Sequence, residues 1–290
     1  MKFLLIGHSI IDHIEKYEEK NLKPGGIYYS ALGMSACSNK KDTIHLLTGY
    51  NDVAKNIFSP VYTRMDLSLC TLLESMPEVI LKVSNAGERE EVYRNISPQL
   101  DLSSLKNFNL PDGILINMIT GYDITPNNLK WIRSLYNCPI YFDVHTLSRG
   151  LDNEMKRKFR PIPQISEWLS NVDILQCNEN ELKTITAIEP LEKAAEFIFS
   201  YGVKILIITK AEKGVEAFSL ENNSVSIFII PPVEIETKNK IGCGDIFGAV
   251  FFYNYISTQN VFLSLNKANK AGAIAASIEN LSEHFDLVLE

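Results

Sequence analysis

At 290 residues, 46% hydrophobic and 22% charged, the chain has the apolar content of a large core and lies outside the range of disordered proteins. Its net charge of −7 argues against general nucleic-acid binding, which needs a basic surface. No apolar run reaches the roughly 20 residues of a membrane helix.

The cysteines at Cys37, Cys70, Cys138, Cys177 and Cys243 are scattered, without a CxxC pair. That pattern predicts reduced thiols in a cytoplasm, with neither a disulfide frame nor a zinc site. The chain opens on an apolar run that ends at Gly7-His8 with no cleavage-type segment, so it reads as a first strand, Phe3–Ile6, and not as a signal peptide. Further short runs rich in Ile, Leu and Val follow at Ile44–Leu47, Ile114–Met118, Ile140–Asp143, Val172–Gln176 and Lys204–Thr209. Amphipathic stretches, Asn127–Tyr136 and Leu191–Tyr201 among them, separate several of these runs. Continuous apolar strands alternating with helices predict an α/β fold with a parallel sheet covered on both faces. Ligands of such sheets bind at the carboxyl ends of the strands. With no long repeat, low-complexity segment or linker, residues 1–290 read as one domain.

The stretch Pro77–Pro98 breaks the pattern. Two β-rich arms flank Asn85-Ala86-Gly87, a hairpin-turn sequence, and the arms carry many charges. They fit poorly in a buried parallel sheet; a flap over a site and an ordinary surface hairpin both suit them.

Several residues have chemistry worth following. Asp12 comes shortly after the first strand, where a carboxylate can accept hydrogen bonds from two hydroxyls of a polyol. Gly25-Gly26 precedes a helix-like segment, Ile27–Ser38, and allows a ligand to approach the backbone closely. A turn residue and a plain loop are the bland alternatives. In Thr48-Gly49-Tyr50-Asn51-Asp52, the aspartate reads as a helix cap. Arg149 follows the strand that ends at Asp143, where a guanidinium can hold phosphate oxygens through two parallel hydrogen bonds. A surface ion pair explains it equally simply. His145 has no second histidine at metal-ligand spacing and reads as a loop histidine. Asn178 and Glu181 have the spacing of a helix capping box. They also have the chemistry to reach magnesium-bound phosphates, Glu181 through water, since magnesium takes few carboxylates and keeps several waters. A hairpin is expected from Gly214–Phe218 and Ser224–Ile229.

Gly242-Cys243-Gly244-Asp245 precedes a long apolar run, Ile246–Tyr255. If a helix begins here, its unsatisfied N–H groups form the positive end of a dipole that can hold a phosphate. Asp245 then falls in the first turn, placed to take a proton from an attacking hydroxyl. The alternative is a glycine turn with an aspartate capping a buried helix.

GCGDIFGAVFFY resembles the C-terminal signature of the ribokinase-like (PfkB-type) carbohydrate kinases, usually DTxGAGDxFxGA. The resemblance implies a ribokinase-like three-layer α/β sandwich with a mostly parallel central sheet. It also implies a small β lid, with segments at about 13–24 and 77–98. It further implies ATP-dependent phosphorylation of a hydroxyl on a small sugar, polyol or nucleoside, with magnesium. Asp245 would be the general base, and the backbone of Gly242, Cys243, Gly244 and Asp245 the anion hole. By the same resemblance, Asp12, Gly25, Gly26, Ser30, Asp143 and Arg149 face the substrate; Asn178 and Glu181 serve the metal-bound phosphates. Thr209 and Gly214 embrace the nucleotide, and Asn269 lies near the adenine. Lid-mediated homodimers occur in the family. The copy departs from the pattern at Ser30 for Asn, Ala211 for Gly and Cys243 for Ala. Asn239 replaces the Asp that helps form a monovalent-cation site, and Ile241 precedes the first glycine, which counts against potassium activation. Neither a GxxxxGK[ST] motif nor HRD and DFG elements occur. Two rivals stand beside the sugar-kinase reading: a pyridoxal-type vitamin kinase of the same fold, and a catalytically silent ligand-binding member. Asp12 with Gly25-Gly26 favours the sugar branch over the first.

Overall fold

The computed structural model describes the chain apart from residues 17–18, 53, 83–89, 280 and 282–290. Strand β1 (Lys2–Ile6) is followed by β2 (Ser9–Lys16) and β3 (Glu19–Gly26), then α1 (Ile27–Cys37) and β4 (Thr43–Leu47). Next come β5 (Gly49–Tyr50), α2 (Lys55–Tyr62) and β6 (Thr71–Leu72), and then β7 (Glu78–Lys82) and β8 (Glu90–Asn95). An alternating series follows: β9 (Gly113–Asn117), α3 (Pro126–Leu135), β10 (Ile140–Asp143), the short β11 (Arg149–Leu151) and β12 (Arg157–Phe159), α4 (Ile165–Leu169) and β13 (Ile174–Asn178). The chain closes with α5 (Glu179–Ile185), α6 (Leu191–Phe199), β14 (Ile205–Thr209), β15 (Val215–Glu221), β16 (Ser224–Ile230), α7 (Cys243–Thr258) and α8 (Val261–Ser277).

Eight strands form the central sheet in the order β16-β15-β14-β13-β10-β9-β1-β4. The six from β14 to β4 are parallel, and β15 and β16 are an antiparallel edge. The predicted mostly parallel sheet is therefore present, with the predicted hairpin at its edge. Alternation along β1 shows how both faces are buried: Phe3 and Leu5 join one apolar cluster, Leu4 and Ile6 the other. The first cluster takes in α1, α7 and α8, the second α3, α4, α5 and α6, which gives three layers. Helix α7 is apolar all round because it lies between the sheet, α1 and α8. Gly33 of α1 lets the two backbones close: a Cβ there would stand 3.0 Å from the Ile246 Cα.

A second sheet, ordered β3-β2-β7-β8, lies outside the sandwich. Its β2 strand pairs antiparallel with β3 and parallel with β7. This sheet begins at Ser9, earlier than the segment starting near residue 13 that the resemblance implied, so Asp12 belongs to the sheet itself. The expected turn at Asn85-Ala86-Gly87 lies outside the described residues. One expectation is corrected: Asp52 is not the cap. Asn51 Oδ1 accepts from the Ala54 N–H at 2.9 Å, just ahead of α2, because the turn presents the preceding side chain to the free amide.

Candidate active site

Between the carboxyl ends of the parallel strands and the outer sheet lies a cleft of about 380 Å³, its open mouth included. Gly242, Asp245 and Tyr29 line the side formed by the helix starts; Asp12 and Ile10 line it from β2, and Val79, Leu81, Glu91 and Tyr93 from β7 and β8.

Asp245 stands in the first turn of α7, as the sequence predicts, and is buried. Gly242 caps this helix in the left-handed region at φ 78°, and no side chain caps its N-terminus. A Cβ on Gly242 would fall 2.3 Å from Tyr29 Cγ, so glycine permits both the turn and the contact with α1. The first N–H groups of this sixteen-residue helix form the positive end of its dipole beside the Asp245 carboxylate. Asn117, the last residue of β9, donates from Nδ2 to Asp245 Oδ1 at 2.5 Å and to Ser30 Oγ at 3.2 Å. Ser30 thus lies below the cleft wall, buried and joined to Asp245 through Asn117.

Behind this pair, Gln176 donates from Nε2 to Asp143 Oδ2 at 3.0 Å and to the Gly244 carbonyl at 3.2 Å, while its Oε1 accepts from the Tyr141 hydroxyl. Burial, with the Glu181 and Asp245 carboxylates nearby, pushes Asp143 well above the usual carboxylate range. Burial pushes the Tyr141 hydroxyl up as well. Glycine at 248 makes room for this layer, since a Cβ would meet the Tyr141 oxygen at 2.5 Å.

On the outer side, Gly25 allows Asp12 to lie flat across β3: a Cβ at 25 would meet the carboxylate at 2.3 Å. Gly26 lines the cleft at the start of α1. Arg149, expected to face the substrate, makes an ion pair with Glu91 of β8 at 3.2 Å and stacks over Phe159 at 4.7 Å. Arg157 joins the same carboxylate at 3.4 Å, stacks over Tyr93 at 4.4 Å and donates to the Thr120 carbonyl at 2.8 Å. These contacts bind the outer sheet to the body. His145 lines the cleft in a 3-10 turn after β10, at φ 37°.

Asn178 and Glu181 form the capping box. Asn178 Oδ1 accepts from the N–H groups of Asn180 and Glu181, each at 2.9 Å, and Glu181 Oε2 accepts from the Asn178 N–H at 2.8 Å. Thr209 ends β14, and the loop after it closes with Lys210 N–H donating to the Gly214 carbonyl at 2.9 Å. Ala211, where the family pattern has glycine, takes φ 49°, and Gly214 takes φ 86°. Asn269 on α8 donates to the Pro231 carbonyl at 2.8 Å.

Asp12, Gly26, Gly242 and Asp245 therefore meet in one cleft, with Gly25 and Ser30 directly behind it. Asn178, Glu181, Thr209, Gly214 and Asn269 lie apart from its lining. Sequence reasoning missed Asn117, Gln176, Tyr29, Glu91 and Arg157. A polar residue ending an apolar strand, as in GILIN and ILQCN, is the signal that marks the first two.

The fold is shared with the sulfate complex of a pyrophosphate-dependent kinase in the ribokinase family, at a TM-score of 0.81 and 16% identity over 99% of this chain and 98% of that one. Residues 148–284 match the model of the pfkB family carbohydrate kinases. That match covers just under half of the chain. The ribokinase-like sandwich is also similar to aminoimidazole riboside kinase from Salmonella enterica, solved with aminoimidazole riboside and an ATP analog. There the TM-score is 0.73, at 17% identity over 100% of this chain and 97% of that one. In sequence, the chain is 33% identical over 91 residues to the cytidine kinase of Thermococcus kodakarensis, 31% of this chain and 32% of that protein. The match thus spans about a third of the length of that curated relative. No described helix is long and apolar enough to cross a membrane.

Proposed function

We propose that this chain is a PfkB-type kinase that transfers the terminal phosphoryl group of ATP to a hydroxyl of a small sugar, polyol or nucleoside. The observation that carries the reading is the placement of Asp245. Its carboxylate lies in a cleft, in the first turn of α7, oriented by Asn117 at 2.5 Å.

Asp245 takes the proton of the attacking hydroxyl, and the amides at the start of α7, from Gly242 to Asp245, hold the oxygens of the transferring group. Phosphoryl transfer needs mainly positioning and charge stabilisation, so this compact set suffices. Asp12 accepts hydrogen bonds from hydroxyls of the acceptor, across the gap that Gly25 leaves. The outer sheet acts as a lid, fastened by Glu91 to Arg149 and Arg157, and keeps water from the donor. The aliphatic and aromatic lining from Ile10, Val79, Leu81, Tyr29 and Tyr93 gives an acceptor an apolar face to rest on.

Asp143, raised first by burial and then by the Glu181 and Asp245 carboxylates, lies within electrostatic reach of both, and carboxylates are the kind of protein ligand that magnesium takes. Among the described residues no three or more His, Cys, Asp or Glu converge as a metal cage. The fit is therefore to an ion carried mainly by phosphates and water, with Glu181 as its outer protein partner. Bound there, magnesium would neutralise phosphate charge. The relatives' chemistry supports a hydroxylated acceptor: a nucleoside in one, a riboside in another. The pyrophosphate-dependent neighbour makes the donor a point to test directly.

The test measures turnover of ATP, and separately of pyrophosphate, across sugars, polyols, nucleosides and pyridoxal. Wild type and Asp245→Asn run in parallel. Turnover with one acceptor class, lowered about 10²–10⁴-fold in the variant, is expected. Unchanged turnover in Asp245→Asn would remove Asp245 as the base. Tight ligand binding without any turnover would favour the silent member instead.

A further inference from the structure

The loop ahead of α7 holds an arrangement that phosphoryl transfer does not use. Asn239 stands where the family pattern has the Asp of a monovalent-cation site. Here Asn239 closes on its own loop: Nδ2 donates to the Ile241 carbonyl at 2.9 Å, and Oδ1 accepts from the Ile241 N–H at 3.0 Å. This pairing fixes the orientation of the amide, because the reversed amide would set N–H against N–H and oxygen against oxygen. The Cys243 thiol lies 3.8 Å from the Asn239 carbonyl and 3.9 Å from that of Ile241, so both carbonyls face protein donors. The loop is also held from outside, since the N–H groups of Lys238 and Asn239 donate to the Ala276 carbonyl at 2.8 and 3.0 Å.

A bare cation needs oxygens turned toward one point, with no N–H among them. In this loop an amide N–H points at the Ile241 carbonyl, and an amide stands in place of the carboxylate. The donor set does not fit a monovalent ion. An aspartate at 239 would set a second oxygen about 2.9 Å from the Ile241 carbonyl, a repulsion that a cation between the two oxygens would turn into attraction. The asparagine achieves the same closure with its own polarised N–H.

We propose that the Asn239 amide replaces the cation as the element that holds residues 239–242, and with them the anion-binding start of α7, so that the protein works without potassium. Asn239 is a positioning residue in this scheme. Only the activity arm of its test rests on the kinase reading.

The experiment compares wild type and Asn239→Asp in potassium chloride and in tetramethylammonium chloride at equal ionic strength. Melting temperature and turnover are both recorded. Wild type is expected to melt alike in the two salts and to turn over within about two-fold. Asn239→Asp should melt lower in tetramethylammonium, lose about ten-fold or more in turnover, and recover in potassium by mass action. Potassium-specific stabilisation or activation of wild type would overturn the proposal. So would an Asn239→Asp protein indifferent to the cation. If no acceptor is turned over, the kinase reading fails on its own and the melting arm still decides the role of Asn239.

Discussion

Replacing Gly242 by alanine tests the packing that creates the anion-binding end of α7, independently of any substrate. The new Cβ would stand 2.3 Å from Tyr29 Cγ and 2.4 Å from Cδ1. Carbon atoms rest at about 3.5–4.0 Å, so the parts must separate by about 1 Å. Tyr29 Cγ is one bond from its own Cβ, and rotating the ring end does not relieve the contact; α1 and α7 have to move apart. Such overpacking costs about 1–3 kcal/mol. A φ of 78° adds about 1–2 kcal/mol for an L-residue. The sum, about 2–5 kcal/mol, is a large part of a typical total of about 5–15 kcal/mol. Urea unfolding, followed by the fluorescence of Trp131 and Trp168, should show a lower midpoint at unchanged slope. Tyr29→Ala removes the clashing ring but leaves the backbone strain. The double-mutant cycle should therefore return a coupling of about 1–3 kcal/mol, the overpacking share alone. A Gly242→Ala protein within about 0.5 kcal/mol of wild type, or strictly additive effects, would refute the argument.

Asn117→Leu removes the donor to Asp245 Oδ1. Losing a hydrogen bond to a charged group costs about 1.5–3 kcal/mol, so kcat should fall about 10–150-fold with the donor KM little changed; an unchanged kcat would show that Asn117 does not orient the base. Glu91→Gln leaves two guanidinium groups without their counter-charge. It should lower stability by about 1–3 kcal/mol in chemical unfolding and raise donor hydrolysis relative to transfer, because the outer sheet is loosened. Asp143 has a raised folded-state value, caused first by burial and then by Glu181 and Asp245. A carboxyl raised in this way is fully tolerated below its unfolded value and costs stability as pH rises through the folded one. The melting temperature of Asp143→Asn relative to wild type should thus climb from pH 4 toward pH 8, and a flat difference would contradict the burial argument.

The parallel sheet was legible because its strands are continuous Ile, Leu and Val runs, which only a doubly covered sheet accommodates. The start of α7 was legible because glycine, a small residue, glycine and aspartate ahead of the largely apolar run Ile246–Tyr255 announce both a turn and a buried helix. What could not be read depends on partners far apart in the chain. Asn117 looks like an ordinary strand end until the fold brings it to Asp245, 128 residues away. Glu91 looked like one more charge on a polar hairpin, yet it is buried between Arg149 and Arg157. The outer sheet was placed too late because the strand leaves β1 after only Gly7 and His8, with no turn signal between them. Asp52 does not cap α2, whose N-cap Ala54 has no side-chain cap; Asn51 Oδ1 instead accepts from the Ala54 N–H in the turn ahead of the helix.

On the proposed kinase reading, the charge balance of the site favours a donor that brings a metal over a bare anion. Two helix starts have a carboxylate each, Asp245 at α7 in the cleft and Glu181 at α5 apart from its lining. Asp143 lies within electrostatic reach of both, and burial first, then these two carboxylates, pushes its value up. A bare phosphate arriving beside these groups would meet repulsion that the α7 dipole alone offsets by only about 0.3–2 kcal/mol. Arg149 and Arg157 do not supply the missing charge, since both are engaged with Glu91 in the outer sheet. Positive charge must then arrive with the donor. That requirement suits the proposed donor, a phosphate chain carrying magnesium.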